Sequence, residues 1–378
     1  MTEALSAGIS QLPDPRRWNK LGSDDPLLHL TLASQSGDPA ARRRLSDELQ
    51  ACIRQGRDDA IFAALRLTPS AVIYRHLREQ AGAAADRPQS GAGSVVARLF
   101  AIPVVLVVGA KSSITLPGIV PDIGEISALL ETHGAVGATR NFGLNNALSS
   151  LQTLERITPS QVHRWADDFT ASGMPREIGA EAIEVAPGRE QVQLRFLIGV
   201  GIAPRAAPSF LETAANIGAW GMPLTRLLAT QLARPGLDLL PVPRPLTAIL
   251  SAAHAGRCAQ LELAFNLFVS NTVRQFRSAV GDPTVVLAAH QGEAGVAEIR
   301  ISMSSALDDT LLEGFRWPLH PLDDLGQIVG SITALLEECR IGDIRLIGTV
   351  VAGNESSGRS PFIRAAAFDR TQRDAQPH

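Results

Sequence analysis

The segment from His133 to Asn146, HGAVGATRNFGLNN, gathers residue types that can bind a small anion. Guanidinium and amide groups donate hydrogen bonds to carboxylates and phosphates, and an imidazole exchanges its proton near neutral pH. The glycines let the backbone approach a ligand closely. We therefore predict an anion-binding loop in an enzyme or sensor, with catalytic residues unknown. The predicted ligand-binding residues are His133, Thr139, Arg140, Asn141, Asn145 and Asn146.

The same segment has a purely structural interpretation. Gly134 is typical of the left-handed residue that ends a helix, and Asn145 is typical of a cap at the start of the next helix. Asn and Gly are also common turn residues. The sequence therefore leaves open whether this loop is a site or only a turn with helix caps.

A weaker nucleotide-binding hypothesis rests on Gly109–Ser113, GAKSS, which follows an apolar run as a phosphate-binding loop would. The first glycine of a P-loop is missing, and Ala110 separates Gly109 from Lys111. No other catalytic signature is present, so whether the chain is an enzyme stays undecided. We expect no cofactor.

The three cysteines, Cys52, Cys258 and Cys339, are far apart and show no metal-ligand spacing. An odd number of scattered cysteines indicates reduced thiols in a cytoplasmic protein, and we expect no metal site.

The N-terminal residues MTEALSAGIS lack a basic stretch followed by an apolar one, so no signal peptide is predicted. Arg98 and Pro103 interrupt the most apolar stretch, which argues for a soluble protein without membrane insertion.

Composition sets further limits on the class of protein. Hydrophobic residues make up 45% of the 378 positions and charged residues 19%, enough for a sizeable core. The net charge of −3 argues against general nucleic-acid binding, which needs a basic surface. Lys20 and Lys111 are the only lysines beside many arginines, and this bias suggests a GC-rich bacterial genome.

The predicted organisation begins with a flexible N-terminus over residues 1–24 and a helical unit over residues 25–80. Asp38 is a plausible N-cap with Pro39 in the first turn of a helix. Small residues, Pro and Ser over residues 81–94 predict a linker. An α+β body would cover residues 95–369, and residues 370–378 would form a flexible tail.

Three hairpins are predicted in this body, because apolar runs flank turn residues. They cover residues 182–202, 284–304 and 344–368. Such pairs favour antiparallel sheets packed with amphipathic helices, hence an α+β fold.

Apolar spacing predicts helices over residues 246–279 and 325–336. The helix-like segments PDIGEISALLETHG and LDDLGQIVGSITALLEECRIG are alike, and whether this reflects a duplication of 95–203 and 283–369 stays open.

Four predicted strands carry an arginine, namely Arg98, Arg195, Arg300 and Arg345. They would form a basic stripe if the strands were neighbours in one sheet, and isolated solvated arginines are the alternative.

The leading functional hypothesis is a cytosolic interaction or assembly component, which binds a protein partner or forms a homo-oligomer. Its basis is the absence of a catalytic signature and the number of strand edges that need covering.

Overall fold

The structure is a computed structural model, and its residues fall into two compact units that divide between Gln260 and Leu261. That boundary lies within a single long helix. The described residues are 25–68, 70–88, 95–109, 113–136, 141–174, 178–180, 182–187, 190–204, 217–240, 249–291, 297–305, 307–308, 310–320 and 322–351.

The first unit begins with helices, as the sequence predicts. Asp38 accepts a hydrogen bond from the backbone N–H of Ala40 at 2.8 Å, and Pro39 is the first helical residue. Residues 81–85, assigned to the linker, instead complete a helix with buried alanines, because alanine is the strongest helix former. The four helices are α1 (Pro26–Gln35), α2 (Pro39–Arg54), α3 (Asp58–Arg66) and α4 (Ala71–Ala85).

A five-stranded antiparallel sheet forms the centre of this unit. The strand order is β1-β2-β6-β4, and β7 pairs with β2 beside β1. β2 and β6 pair along 14 residues each, and nearly all of β2 is buried because its two faces are both covered. The strands are β1 (Arg87–Pro88), β2 (Val95–Val108), β4 (Asn141–Ser150), β6 (Gln191–Pro204) and β7 (Leu237–Leu240).

The first predicted hairpin is wrong. β5 (Ile183–Val185) pairs with β3 (Ile114–Leu116) in a separate antiparallel ribbon, and β6 pairs with β2 and β4. Local turn residues near Pro187 suggested a hairpin, but the pairing is decided by the long apolar faces of β2 and β6.

One apolar core lies on the face of the sheet that carries Phe100 and Leu197. Gly199 lies directly between Phe100 and Leu144 in the pairing. A Cβ atom there would lie 2.7 Å from Cε2 of Phe100 and 2.8 Å from Cδ2 of Leu144, so only glycine fits. The helices of this part of the unit are α5 (Ile123–Thr132), α6 (Leu151–Arg156), α7 (Pro159–Ser172) and α8 (Ile217–Gln231).

The second unit contains a four-stranded sheet in the order β10-β9-β8-β11. The hairpin predicted over residues 284–304 is confirmed, since β8 and β9 are antiparallel neighbours. β11 runs parallel to β8, and the rest of the third predicted hairpin lies outside the described residues. The strands are β8 (Thr284–Gln291), β9 (Ala297–Ser304), β10 (Leu312–Pro318) and β11 (Ile344–Val351).

α9 (Ile249–Ala279) crosses the boundary between the units, and α10 (Leu325–Glu338) follows β10. Asp324 caps α10 by accepting a hydrogen bond from the N–H of Gln327, which confirms this predicted helix start. One face of the second sheet packs on α10 and on the part of α9 beyond Leu261 through Phe265, Val269 and Ile332.

The fold class is therefore α+β, with mainly antiparallel sheets packed against helices, as predicted. The proposed duplication stays a prediction, and so do the flexible terminal segments, which lie outside the described residues. Among the helices of the described ranges, none has both the length and the apolar character needed to cross a bilayer.

Candidate functional site

The predicted anion-binding segment is not one loop. His133 is the C-cap that follows α5, and its N–H donates to the carbonyl oxygen of Leu129 at 3.0 Å. Gly134 follows with a φ of +64°, as its alternative role as a helix cap requires. Thr139 and Arg140 lie outside the described residues.

The other three predicted residues, Asn141, Asn145 and Asn146, all lie in the edge strand β4. The expectation of a turn there is wrong, because pairing with β6 overrides the local preference of Asn and Gly for turns. The expectation that Asn145 caps the next helix is also wrong. Ser150 fills that role for α6 by accepting a hydrogen bond from the N–H of Thr153 at 3.1 Å.

A bulge interrupts β4 at the two asparagines. Leu144 pairs with Gly199 and Leu148 with Leu197, so four residue steps on β4 face two on β6. The Oδ1 atom of Asn145 accepts a hydrogen bond from the N–H of Ala147 at 2.7 Å and holds the bulge in shape. Bulges re-aim side chains and are common beside functional sites.

The segment Gly118–Val120 covers the outer side of the bulge. The N–H of Val120 donates to the carbonyl oxygen of Asn146, and the N–H of Leu148 donates to that of Gly118, both at 2.8 Å. Ile119 thereby forms an antiparallel bridge with Ala147. A short piece of extended chain is thus already paired to part of the outer edge of β4.

A cleft of about 460 Å³ opens beside this bulge. Ile119 is 49% exposed at its wall, whereas Asn145 is buried and Asn146 is exposed. None of the side chains that line it is charged, so the cleft suits an apolar or uncharged group. The lining residues are Ile119, Ile123, Leu144, Asn145, Asn146, Ala147, Met174, Ile178, Gly179 and Ala180.

Beyond the cleft, the outer edge of β4 continues from Asn141 to Leu144. These residues pair with β6 on one side, and no strand within the described ranges pairs with them on the other. Asn141 is exposed, and Phe142 and Gly143 are half-buried. Alternate backbone N–H and C=O groups of such an edge point away from the sheet and can pair with another chain. We refer to residues 141–144 and the adjoining cleft together as the β4 edge site.

A second pair of reactive side chains lies on α9 and was not predicted from the sequence. His254 and Cys258 are four residues apart, and the Nε2 and Sγ atoms lie 3.7 Å apart. Both residues are half-buried. The signal was available, because a helix was predicted here and residues i and i+4 share a helix face.

A third group lies within the second sheet and consists of the buried His290 and Arg300 and the largely buried Glu298. The Nε atom of Arg300 donates to Oε1 of Glu298 at 2.6 Å, and Nδ1 of His290 lies 3.8 Å from that same oxygen. His290 and Glu298 are directly paired across β8 and β9. One carboxylate therefore joins two basic side chains inside the fold.

The four strand arginines do not form the stripe that the sequence left open as an alternative. Arg98 and Arg195 lie in the first sheet, while β8 separates Arg300 from Arg345 in the second. Arg98 binds Asp86 at 2.7 Å and Arg345 binds Asp343 at 2.9 Å, whereas Arg195 is entirely buried. These arginines therefore act separately.

Most of the Gly109–Ser113 loop lies outside the described residues, so the structure does not test nucleotide binding there. The N–H of Gly109 donates to the carbonyl oxygen of Gly236 at 3.0 Å, and Lys111 lies outside the described ranges. The nucleotide-binding hypothesis stays an untested prediction.

Relatives offer no guide to which of these groups is functional. Comparison of the chain with protein-family models, with curated proteins and with solved structures found no match.

Proposed function

We propose that this protein is a cytosolic interaction component that binds an extended, uncharged segment of a partner protein at the β4 edge site. The segment adds as a further strand along residues 141–144 and places an apolar side chain in the cleft. The observation that carries the proposal is the outward edge of β4, which continues past the short stretch paired with Gly118–Val120.

The first support is the way the chain already uses this edge. Gly118–Val120 pairs with β4 through two backbone hydrogen bonds and stops at the bulge. A partner strand that follows the same line would meet the next outward backbone groups of β4. Strand addition of this kind takes its affinity from main-chain hydrogen bonds and its specificity from side-chain pockets.

The second support is the chemistry of the adjoining cleft. Ile119, Met174 and Ile178 give it apolar walls, and Asn145 and Asn146 add amide groups without charge. A charged side chain would lose its hydration there without a counter-charge. The expected segment therefore carries a Val, Ile, Leu or Met side chain at the position facing the cleft.

The cytosolic setting rests on the thiols. Cys52, Cys258 and Cys339 form no disulfide, and cysteines without disulfides are typical of reducing compartments.

Selection of short random peptides on the immobilised full chain tests the proposal. Enriched peptides should share an apolar residue flanked by uncharged residues, and should slow amide exchange at residues 141–144. Ile119→Asp should weaken binding at least about tenfold, because it puts a charge at the cleft wall. Peptides that protect other strands, or that bind this variant normally, would overturn the proposal.

Met222→Asp is the matched control. Met222 is 42% exposed on α8, close to the 49% of Ile119, but it does not line the cleft. Peptide binding should survive this change. Light scattering adds a check on the occupant, since a dimer of the full chain that Ile119→Asp dissociates would mean that a second copy fills the edge instead of another protein.

The second candidate function is binding of a small anionic ligand, in an enzyme or a sensor. It is favoured by Asn145 and Asn146, two of the predicted residues, which line a cleft within the usual 300–1,000 Å³ range of ligand pockets. A panel of small carboxylates and inorganic phosphate should then raise the melting temperature, and Arg140→Ala should abolish the rise without unfolding the protein. A melting temperature that no anion changes would reject this candidate and leave the first intact.

A further inference from the structure

The pair on α9 has the geometry of two ligands of one metal ion. A tetrahedral zinc ion with Zn–S of about 2.3 Å and Zn–N of about 2.05 Å would hold the two ligand atoms about 3.6 Å apart. The Nε2 atom of His254 and the Sγ atom of Cys258 are 3.7 Å apart. No rearrangement of the helix is needed to bring both atoms to such an ion.

The helix itself supports this arrangement. Residues i and i+4 project from the same face, and helical metal sites use this spacing for two of their ligands. α9 is continuous from Ile249 to Ala279, so both side chains extend from a regular backbone. Their half-buried position leaves an ion a route from solvent.

The ligand types select the ion. A thiolate and an imidazole favour zinc and related transition metals over Mg²⁺ and Ca²⁺, which prefer oxygen ligands. The competing explanation is a simple hydrogen bond between a thiol and an imidazole, which the same distance also permits. The two explanations differ in whether the thiol proton is lost.

We propose that His254 and Cys258 bind a zinc ion through Nε2 and Sγ. The Cys258 S–H bond breaks, its proton passes to solvent, and a zinc–sulfur bond forms. Water or other oxygen donors occupy the remaining positions around the ion. This site is separate in chemistry from the β4 edge site and does not depend on its function.

Titration of the metal-free full chain with Co²⁺ tests the site, because a cobalt–thiolate bond gives a charge-transfer absorption band. The wild type should bind one ion per chain and release a proton as it does so. Cys258→Ser should abolish the band, and His254→Gln should weaken cobalt binding at least about tenfold. Zn²⁺ should displace the cobalt.

Cys339→Ser is the control, since Cys339 is also half-buried but far from this pair in sequence. It should leave the band unchanged. Alkylation gives an independent readout that does not need cobalt: Zn²⁺ should slow the reaction of Cys258 with iodoacetamide and leave that of Cys339 unaltered. A missing band, a band retained by Cys258→Ser, or full affinity in His254→Gln would overturn the proposal.

Discussion

The edge of the first sheet and the middle of the second place their polar side chains in opposite situations. At the β4 edge the asparagines sit at a bulge beside an open cleft, and Asn146 is exposed. In the second sheet Glu298, Arg300 and His290 bind one another between central strands and are almost buried. Polar groups at an edge are available to another molecule, whereas those inside a sheet stabilise one arrangement of its strands.

The largest expected effect comes from disrupting the group of Glu298, Arg300 and His290 in the second sheet. Glu298→Ala should lower the opening free energy of β8 and β9 by about 3 kcal/mol, because it removes the carboxylate from beside a buried guanidinium. Hydrogen exchange measured by mass spectrometry on peptides from these strands reports that energy. Glu298→Gln, which keeps a hydrogen-bond acceptor, should cost less. An opening free energy unchanged in Glu298→Ala would mean that the group does not stabilise the sheet.

The next effect concerns the packing that supports the β4 edge. Gly199→Ala should destabilise the first unit by about 2 kcal/mol, because the new methyl group would overlap Phe100 and Leu144. Denaturant unfolding measures this cost. Gly330→Ala is the control, since a Cβ atom there meets nothing within 4 Å, and helix propensity should make it neutral or stabilising. Equal effects of the two changes would contradict the close approach at Gly199.

A smaller effect separates the two asparagines of the edge. Asn145→Ala should cost about 1 kcal/mol, since it removes the hydrogen bond to the N–H of Ala147 inside the bulge. Asn146→Ala should stay within about 0.5 kcal/mol of the wild type, as expected of an exposed side chain. Unfolding curves measure both. If Asn146→Ala were the costlier change, Asn146 would be structural and the comparison between edge and interior would fail.

The smallest effect is on the acid stability of the second sheet. Hydrogen bonds from Arg345, and then from Thr284, lower the pKa of Asp343 below its ordinary value. A lowered pKa means that the stabilisation is complete above the ordinary value and is lost as the pH falls through the lowered one. Asp343→Asn should therefore reduce the fall in the denaturant midpoint between neutral and acid pH. A fall as steep as that of the wild type would show that this contact contributes nothing measurable.

How far the sequence predicted the fold depended on how local each signal was. Asp38 was identified as a helix cap because a cap lies next to the helix that it starts. The partner of β5 and the strand at Asn141–Ser150 were missed because pairing is decided by residues distant in the chain. The apolar spacing of α10 was sufficient to predict this helix, because the helical period of its apolar residues does not depend on which element the helix packs against.

The candidate site was only partly predictable for the same reason. The segment 133–146 includes the two asparagines of the bulge, although their setting was misjudged as a loop. Ile119, Met174 and Ile178 carried no signal, because they are ordinary apolar residues that the fold brings to the cleft. The spacing of His254 and Cys258 was visible in the sequence and needed only to be placed on the predicted helix.

The pairing of β2 with β6 has a consequence for synthesis on the ribosome. β2 is an almost wholly apolar strand, and Gln191, the first residue of its partner, follows Val108 by 83 positions. At translation rates of about 5–20 residues per second, β2 waits roughly 4–17 s for β6 to be made. During that interval its apolar surface and backbone groups lack their final cover. The nascent chain is therefore expected to be prone to aggregation while these two strands are unpaired, and a chaperone that binds it at that stage should lower this risk.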